Sequence, residues 1–118
     1  MKNRILEEKS FAAAIAIVKF SKILFSRNEY DLGRQLLRSG TGVGANIREA
    51  SRAESDQDFI HKLSISQKEC EETLYWLELL QASEITIKQE FDRHYPLFDE
   101  VMKLLVFSIL KVKNRRPQ

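Results

Sequence analysis

Apolar residues recur at three- and four-residue spacing along most of the chain, the period of helices packed on one another. From about Arg4 to Ser26 one side reads Phe11, Ile15, Val18 and Phe25, yet Ala12, Ala14, Ile17, Phe20, Ile23 and Leu24 are apolar as well. A helix that is apolar on more than one side must be covered on more than one side, here by sister helices and a neighbouring subunit. Arg27 and Asn28 end it, asparagine being at ease in the left-handed conformation. A second helix, about 29–52, carries Leu32, Leu36 and Leu37 and then meets Ser39-Gly40-Thr41-Gly42-Val43-Gly44. A break or kink is expected near 39–44, after which Ala45, Ile47 and Ala50 resume the stripe. Gly33 inside it costs up to about 1 kcal/mol against alanine and points to a close helix approach.

Ser55 is a good N-cap for a third helix over 56–82, where Leu63, Cys70 and Leu77 stand seven apart. Ile60 and Leu74 form a second seam, and Ser64, Ser66 and Thr73 are small enough to let a partner helix come close. Thr86 and Gln89 form a T-x-x-Q box that opens a fourth helix over about 87–112. Pro96 within that pattern predicts a kink or a short preceding turn. The run Leu104–Phe107 points in all directions around the axis, which again calls for cover from outside the chain. The fold class predicted is all-α: an antiparallel up-down-up-down four-helix bundle with a kinked second helix, one domain over 1–118.

Composition agrees with this pattern. Four glycines and two prolines in 118 residues are too few for a strand-and-turn architecture. A single cysteine excludes an intrachain disulfide and a cysteine zinc cluster, and fits a reducing cytoplasm. The longest fully apolar run, Phe11–Val18, falls far short of the roughly 20 residues that span a bilayer. No membrane span or leader is expected.

Candidate chemistry is sparse. His61 and His94 sit among charged residues and read as solvated; no H-E-x-x-H or E-x-x-H pairing accompanies them. Cys70 falls on the core heptad and reads as a small buried hydrophobe. Tyr75 and Trp76 read as filling helix contacts. The glycine cluster lacks the lysine of a phosphate-binding loop. An enzyme, a metal and a cofactor are therefore not expected.

Charge is uneven. Residues 1–54 hold ten basic and six acidic side chains, 55–100 four and eleven, and 101–118 five and none. Arg34 and Arg38 are one turn apart, as are Arg48 and Arg52, so each pair shares a face. With Lys111, Lys113, Arg115 and Arg116 they could form a phosphate-binding surface. Against that stands pairing with Asp31, Glu49 and the acidic third helix.

The stretch Q-L-L-R-S-G-T-G-V-G-A-N-I-R-E-A, residues 35–50, resembles the signature of the four-helix-bundle proteins also called the 23S ribosomal RNA intervening-sequence protein family. Residues 58–80 resemble that family's third helix, and the similarity extends from about Phe11 to Leu110. Gly44 stands where many members carry proline, and Ala50 where many carry glycine. More distantly, the chain is similar to the accessory protein of diversity-generating retroelements, a basic pentamer that binds nucleic acid and a reverse transcriptase. The resemblance implies a homopentamer without enzymatic activity. It also implies that Gly40 and Gly44 shape the second helix and that Asn46 and Glu49 brace it by side-chain hydrogen bonds.

The functional expectation is a cytoplasmic oligomer binding RNA or DNA through a ring of Arg34, Arg38, Arg48 and Arg52, its subunits joined through Phe11, Ile15, Leu104 and Phe107. The alternative is a protein–protein adaptor docking another chain through its acidic third helix or a ring face.

Overall fold

Asn3 does two jobs at the start of the first helix. Its Oδ1 accepts the Leu6 N–H at 3.0 Å, and its Nδ2 donates to Ser108 Oγ at 3.0 Å, tying the first helix to the last. The computed structural model describes residues 3–115 and holds four helices: α1 Arg4–Ser26, α2 Tyr30–Ala50, α3 Asp56–Ala82 and α4 Lys88–Asn114. Asn28, at φ 65°, makes the left-handed stop after α1; Glu84, at φ 61°, follows α3 without a signal that composition offered. Ser55 caps α3 by accepting the Asp58 N–H at 3.0 Å.

Each helix packs on the next and α4 closes on α1, while the diagonal pairs α1–α3 and α2–α4 do not meet. The result is a square antiparallel bundle measuring 51 × 20 × 20 Å. Its core is Leu6, Ala13, Ile17, Phe20 and Leu24 of α1 with Leu36, Val43 and Ile47 of α2. Leu63, Cys70, Leu77 and Leu80 of α3 and Phe98, Val101 and Leu105 of α4 complete it. Phe11, Ile15 and Val18 face outward instead.

The expected break near 39–44 is absent. α2 is one helix, and no turn or left-handed residue marks a kink at its glycines. Packing on both flanks overrides the weak propensity of three glycines in five residues. An added Cβ at Gly40 would lie 2.8 Å from Ile17 Cγ2, and one at Gly33 2.7 Å from Phe25 Cε1, so both positions set the α1–α2 spacing. On the α3 side, Ser66 Oγ donates to the Val43 carbonyl at 2.8 Å and Thr73 Oγ1 to Ser39 Oγ at 2.8 Å. Thr41 Oγ1 and Asn46 Nδ2 donate to the Leu37 and Gly42 carbonyls at 2.7 and 2.8 Å within α2 itself.

Four other expectations are corrected. The N-cap of α4 is Ile87 rather than Thr86: the Glu90 carboxylate, a stronger acceptor than the Gln89 amide, takes the Ile87 N–H at 3.1 Å. For Pro96 the correction concerns the preceding turn alone: the proline lies inside α4 with no turn before it, and Asp92, whose carbonyl it leaves without a donor, is exposed, so water can serve it. Tyr75 is exposed, edge-on to the half-buried Trp76 at 5.2 Å, because its position falls outside the Leu74–Leu77 seam. His94 is only 5% exposed, since it shares the inner phase of α4 with Phe98, Val101 and Leu105.

The His94 ring stacks on Phe20 with centroids 4.2 Å apart, and its Nδ1 donates to the Glu90 carbonyl at 2.7 Å. Burial, seconded by Arg93, holds its pKa below the usual 6.5. Beside it Arg27 grips Glu90 through both oxygens, at 2.6 and 3.1 Å, and that bond keeps the Glu90 carboxyl below its ordinary range.

Two predictions follow from this packing. Gly40→Ala meets Ile17, which is buried and β-branched, and is expected to destabilise by about 1–2 kcal/mol after the helix-propensity gain. Gly44→Ala, whose Cβ would find ordinary contact at 3.5 Å from Ser10, is expected to stabilise by up to about 1 kcal/mol. Urea midpoints of the two variants in opposite directions from the parent check this. For His94, a depressed native pKa means that stability is full above the unfolded value near 6.5 and is lost as pH falls through the native pKa. The melting temperature should therefore drop below about pH 6.5, before the carboxylate of Glu90 titrates. His94→Phe, which keeps the stack, should flatten that limb of the profile.

Candidate functional site

Because α2 is unbroken, residues 34, 38, 41, 45, 48 and 52 follow one another at steps of four and three. All four arginines of the sequence reading consequently share one outward face of α2 and the turn after it, about 27 Å long at 1.5 Å per residue. Thr41 and the exposed Ala45 separate the two pairs. The inward face of the same helix carries Gly33, Leu36, Gly40, Val43 and Ile47, so burial of that face fixes the direction of the arginines.

The four are not equivalent. Arg34 pairs with Asp31 at 3.0 Å on its own helix. Arg38 reaches across to α3, bonding Glu72 closely and Glu69 at 3.5 Å, and also meets the Gln35 amide at 3.2 Å. Arg48 lies over the Phe11 ring of α1, 5.7 Å from its centroid. Arg52 has no ion pair among the described residues. The Arg34 pair is exposed on both sides, and such a pair contributes about 0–1 kcal/mol, so it competes weakly against a phosphate; Arg38 is held harder, by two half-buried carboxylates.

Glu49 and Asn46 divide the bracing role expected of them. Asn46 bonds within α2, as described, whereas Glu49 turns outward and pairs with Lys62 of α3 at 3.0 Å. Gly42, which the sequence reading did not single out for contact, faces Glu69, so the acid that meets Arg38 also packs on the glycine stretch. The basic residues at the end of α4 do not join the α2 face, since α2 and α4 stand on a diagonal. Arg115 meets Asp56 of α3 at 3.5 Å, and Arg116 lies outside the described residues.

The four residues named for subunit contacts lie on α1 and α4. Phe11 and Ile15 are 56% and 43% exposed and Phe107 is 64% exposed, while Leu104 is half-buried. Cys70 is sealed in the core, its thiol donating to the Phe98 carbonyl at 3.2 Å, and burial pushes its pKa up to about 12. A thiol that holds its proton so firmly is no nucleophile. His61 is exposed. Among the described residues no three histidine, cysteine or acidic side chains converge as metal ligands, and no helix is long and apolar enough to cross a membrane.

No curated protein matches the chain. A solved structure does: a protein of unknown function from the S23 ribosomal protein family of Bacteroides thetaiotaomicron. It is 43% identical, with a TM-score of 0.86, over 88% of this chain and 97% of that one. The family model described as 23S rRNA-intervening sequence protein matches residues 2–107. With four antiparallel helices and the A-N-I-R-E segment seated in an unbroken α2, the chain belongs to the 23S rRNA-intervening sequence protein family.

Proposed function

We propose that this protein is a non-enzymatic, self-assembling bundle of the cytoplasm that binds structured RNA through the arginine face of α2. The observation that carries the reading is the run Arg34, Arg38, Arg48 and Arg52 along one outward face. A single copy offers few free charges there, because Arg34 and Arg38 are partly answered by Asp31, Glu69 and Glu72. Assembly, with five copies as the number the family resemblance implies, repeats the face and turns weak phosphate contacts into one multivalent surface. The apolar side chains left outward on α1 and α4 support self-assembly, since a folded subunit gains by covering them.

Binding of a fluorescent RNA hairpin across a salt series tests this. Each phosphate neutralised contributes a slope of roughly −0.7 to −0.9 in log K against log salt. Replacing Arg34, Arg38 and Arg52 together by glutamine should weaken binding and flatten the slope. Glu72→Gln, which leaves Arg38 only the longer contacts to Glu69 and Gln35, should strengthen binding. Affinity that is absent, or that ignores salt and both variants, rejects the reading.

A further inference from the structure

Two apolar surfaces stay uncovered in the same half of the bundle, and they differ in shape and charge. One is a groove of about 360 Å³ between α1 and α2, lined by the apolar Phe11, Ala14 and Ala45 and the charged Glu7, Arg48 and Glu49, the last already paired with Lys62. Glu7 Oε2 is shut off from solvent and has no hydrogen-bond donor. A buried carboxylate oxygen in that state is missing a partner.

The other surface is the outer stripe of α4. Val106, Phe107 and Leu110 are 38%, 64% and 51% exposed. Lys103 and Lys111 stand one turn before and after Phe107. Lys103 pairs only with Asp99 of its own helix, at 3.2 Å, and Lys111 has no ion pair among the described residues. The stripe is convex, apolar and basic; the groove is concave, apolar and holds an unanswered acid.

Along the bundle axis the two lie in the same half but are offset by about two turns. The Asn3–Ser108 hydrogen bond sets the last turns of α4 beside the first turn of α1, and Gly44 faces Ser10 one to two turns further on. Their directions differ, because α4 does not touch α2.

We propose that the α4 stripe of one copy seats in the α1–α2 groove of the next, with Phe107 and Leu110 filling the groove and a flanking lysine donating to Glu7. This rests on the self-assembly reading above and names the surfaces that carry it. Stripe against stripe would set Lys103 and Lys111 against their own copies, and groove against groove would leave two hollows facing. Joining unlike patches is a heterologous contact: every copy keeps one free groove and one free stripe, and a ring of copies tilted enough to take up the two-turn offset uses up both. Thr41, Ala45 and Arg48 belong to both the groove and the arginine face, so the contact takes the middle of that face and leaves Arg34 and Arg38 at one end and Arg52 at the other.

The geometry is tested by complementation, with two substitutions at exposed positions that leave the core untouched. Ala45→Trp blocks the groove, and Phe107→Ser removes the knob. Light scattering at matched concentration should find the parent assembled and each variant alone at the 13.8 kDa of one chain. Mixed one to one, they should form a discrete pair of chains, since the blocked variant keeps its stripe and the knobless one its groove. Glu7→Gln should raise the concentration at which the parent assembly falls apart. Variants that assemble like the parent, or a mixture that stays monomeric, overturn this contact while leaving self-assembly standing. A monomeric parent overturns self-assembly itself.

Discussion

Everything distinctive about this bundle depends on α2 staying helical through Gly40, Gly42 and Gly44. Three glycines in five residues cost a helix about 3 kcal/mol against alanine, enough to fray it if it stood alone. It does not stand alone. Ile17 sits where a Cβ at Gly40 would be, Glu69 lies where one at Gly42 would be, and Ser66 and Thr73 hydrogen-bond into α2 from α3. The glycines lower propensity and raise packing in the same place. An unbroken α2 then has one phase from end to end, and that phase turns Leu36, Val43 and Ile47 inward and four arginines outward.

This is also where reading the sequence went astray. Periodicity showed the number of helices, the Asn28 stop, the Ser55 cap and the Leu63–Cys70–Leu77 seam, because each is local chemistry or a repeat within one element. Continuity through Ser39–Gly44 is decided by atoms of α1 and α3, which propensity does not see. Assuming a break there separated Arg34 and Arg38 from Arg48 and Arg52 and concealed their common face. His94 was misjudged for a related reason. Charged neighbours at 92 and 93 say nothing about phase, whereas the spacing to Phe98, Val101 and Leu105 does. Glu7 gave no signal at all, because an acid in the first turn of a helix is ordinary and its oxygen is shut away only in the assembled bundle.

Charge and apolar surface are segregated around the square. α3 carries Glu69, Glu71, Glu72 and Glu78, two of which restrain Arg38, so the acid-rich helix acts on the basic one rather than on solvent alone. α1 and α4 meet largely through tethers: Asn3 to Ser108 at one end, Lys9 to Glu100 at 3.4 Å, and Arg27 to Glu90 at the other, with Phe20 on His94 between. Those tethers leave Phe11, Ile15 and Phe107 outside the core.

Assembly and binding are linked, on the reading proposed here, through which side chains remain free. Arg48 stands where the two meet: its guanidinium rests on Phe11, so the ring that lines the groove also holds one arginine of the stripe. Filling the groove with an apolar side chain would desolvate Phe11 and strengthen that stacking, since a cation over a ring gains as water is removed. Arg48 would then be fixed at the border of the contact rather than released to a phosphate. Of the arginines left to bind, Arg34 is restrained by an exposed carboxylate that yields readily to a denser array of negative charge, whereas Arg38 has to leave two half-buried ones. On that proposal one helix divides its cations between holding the assembly together and facing what the assembly binds.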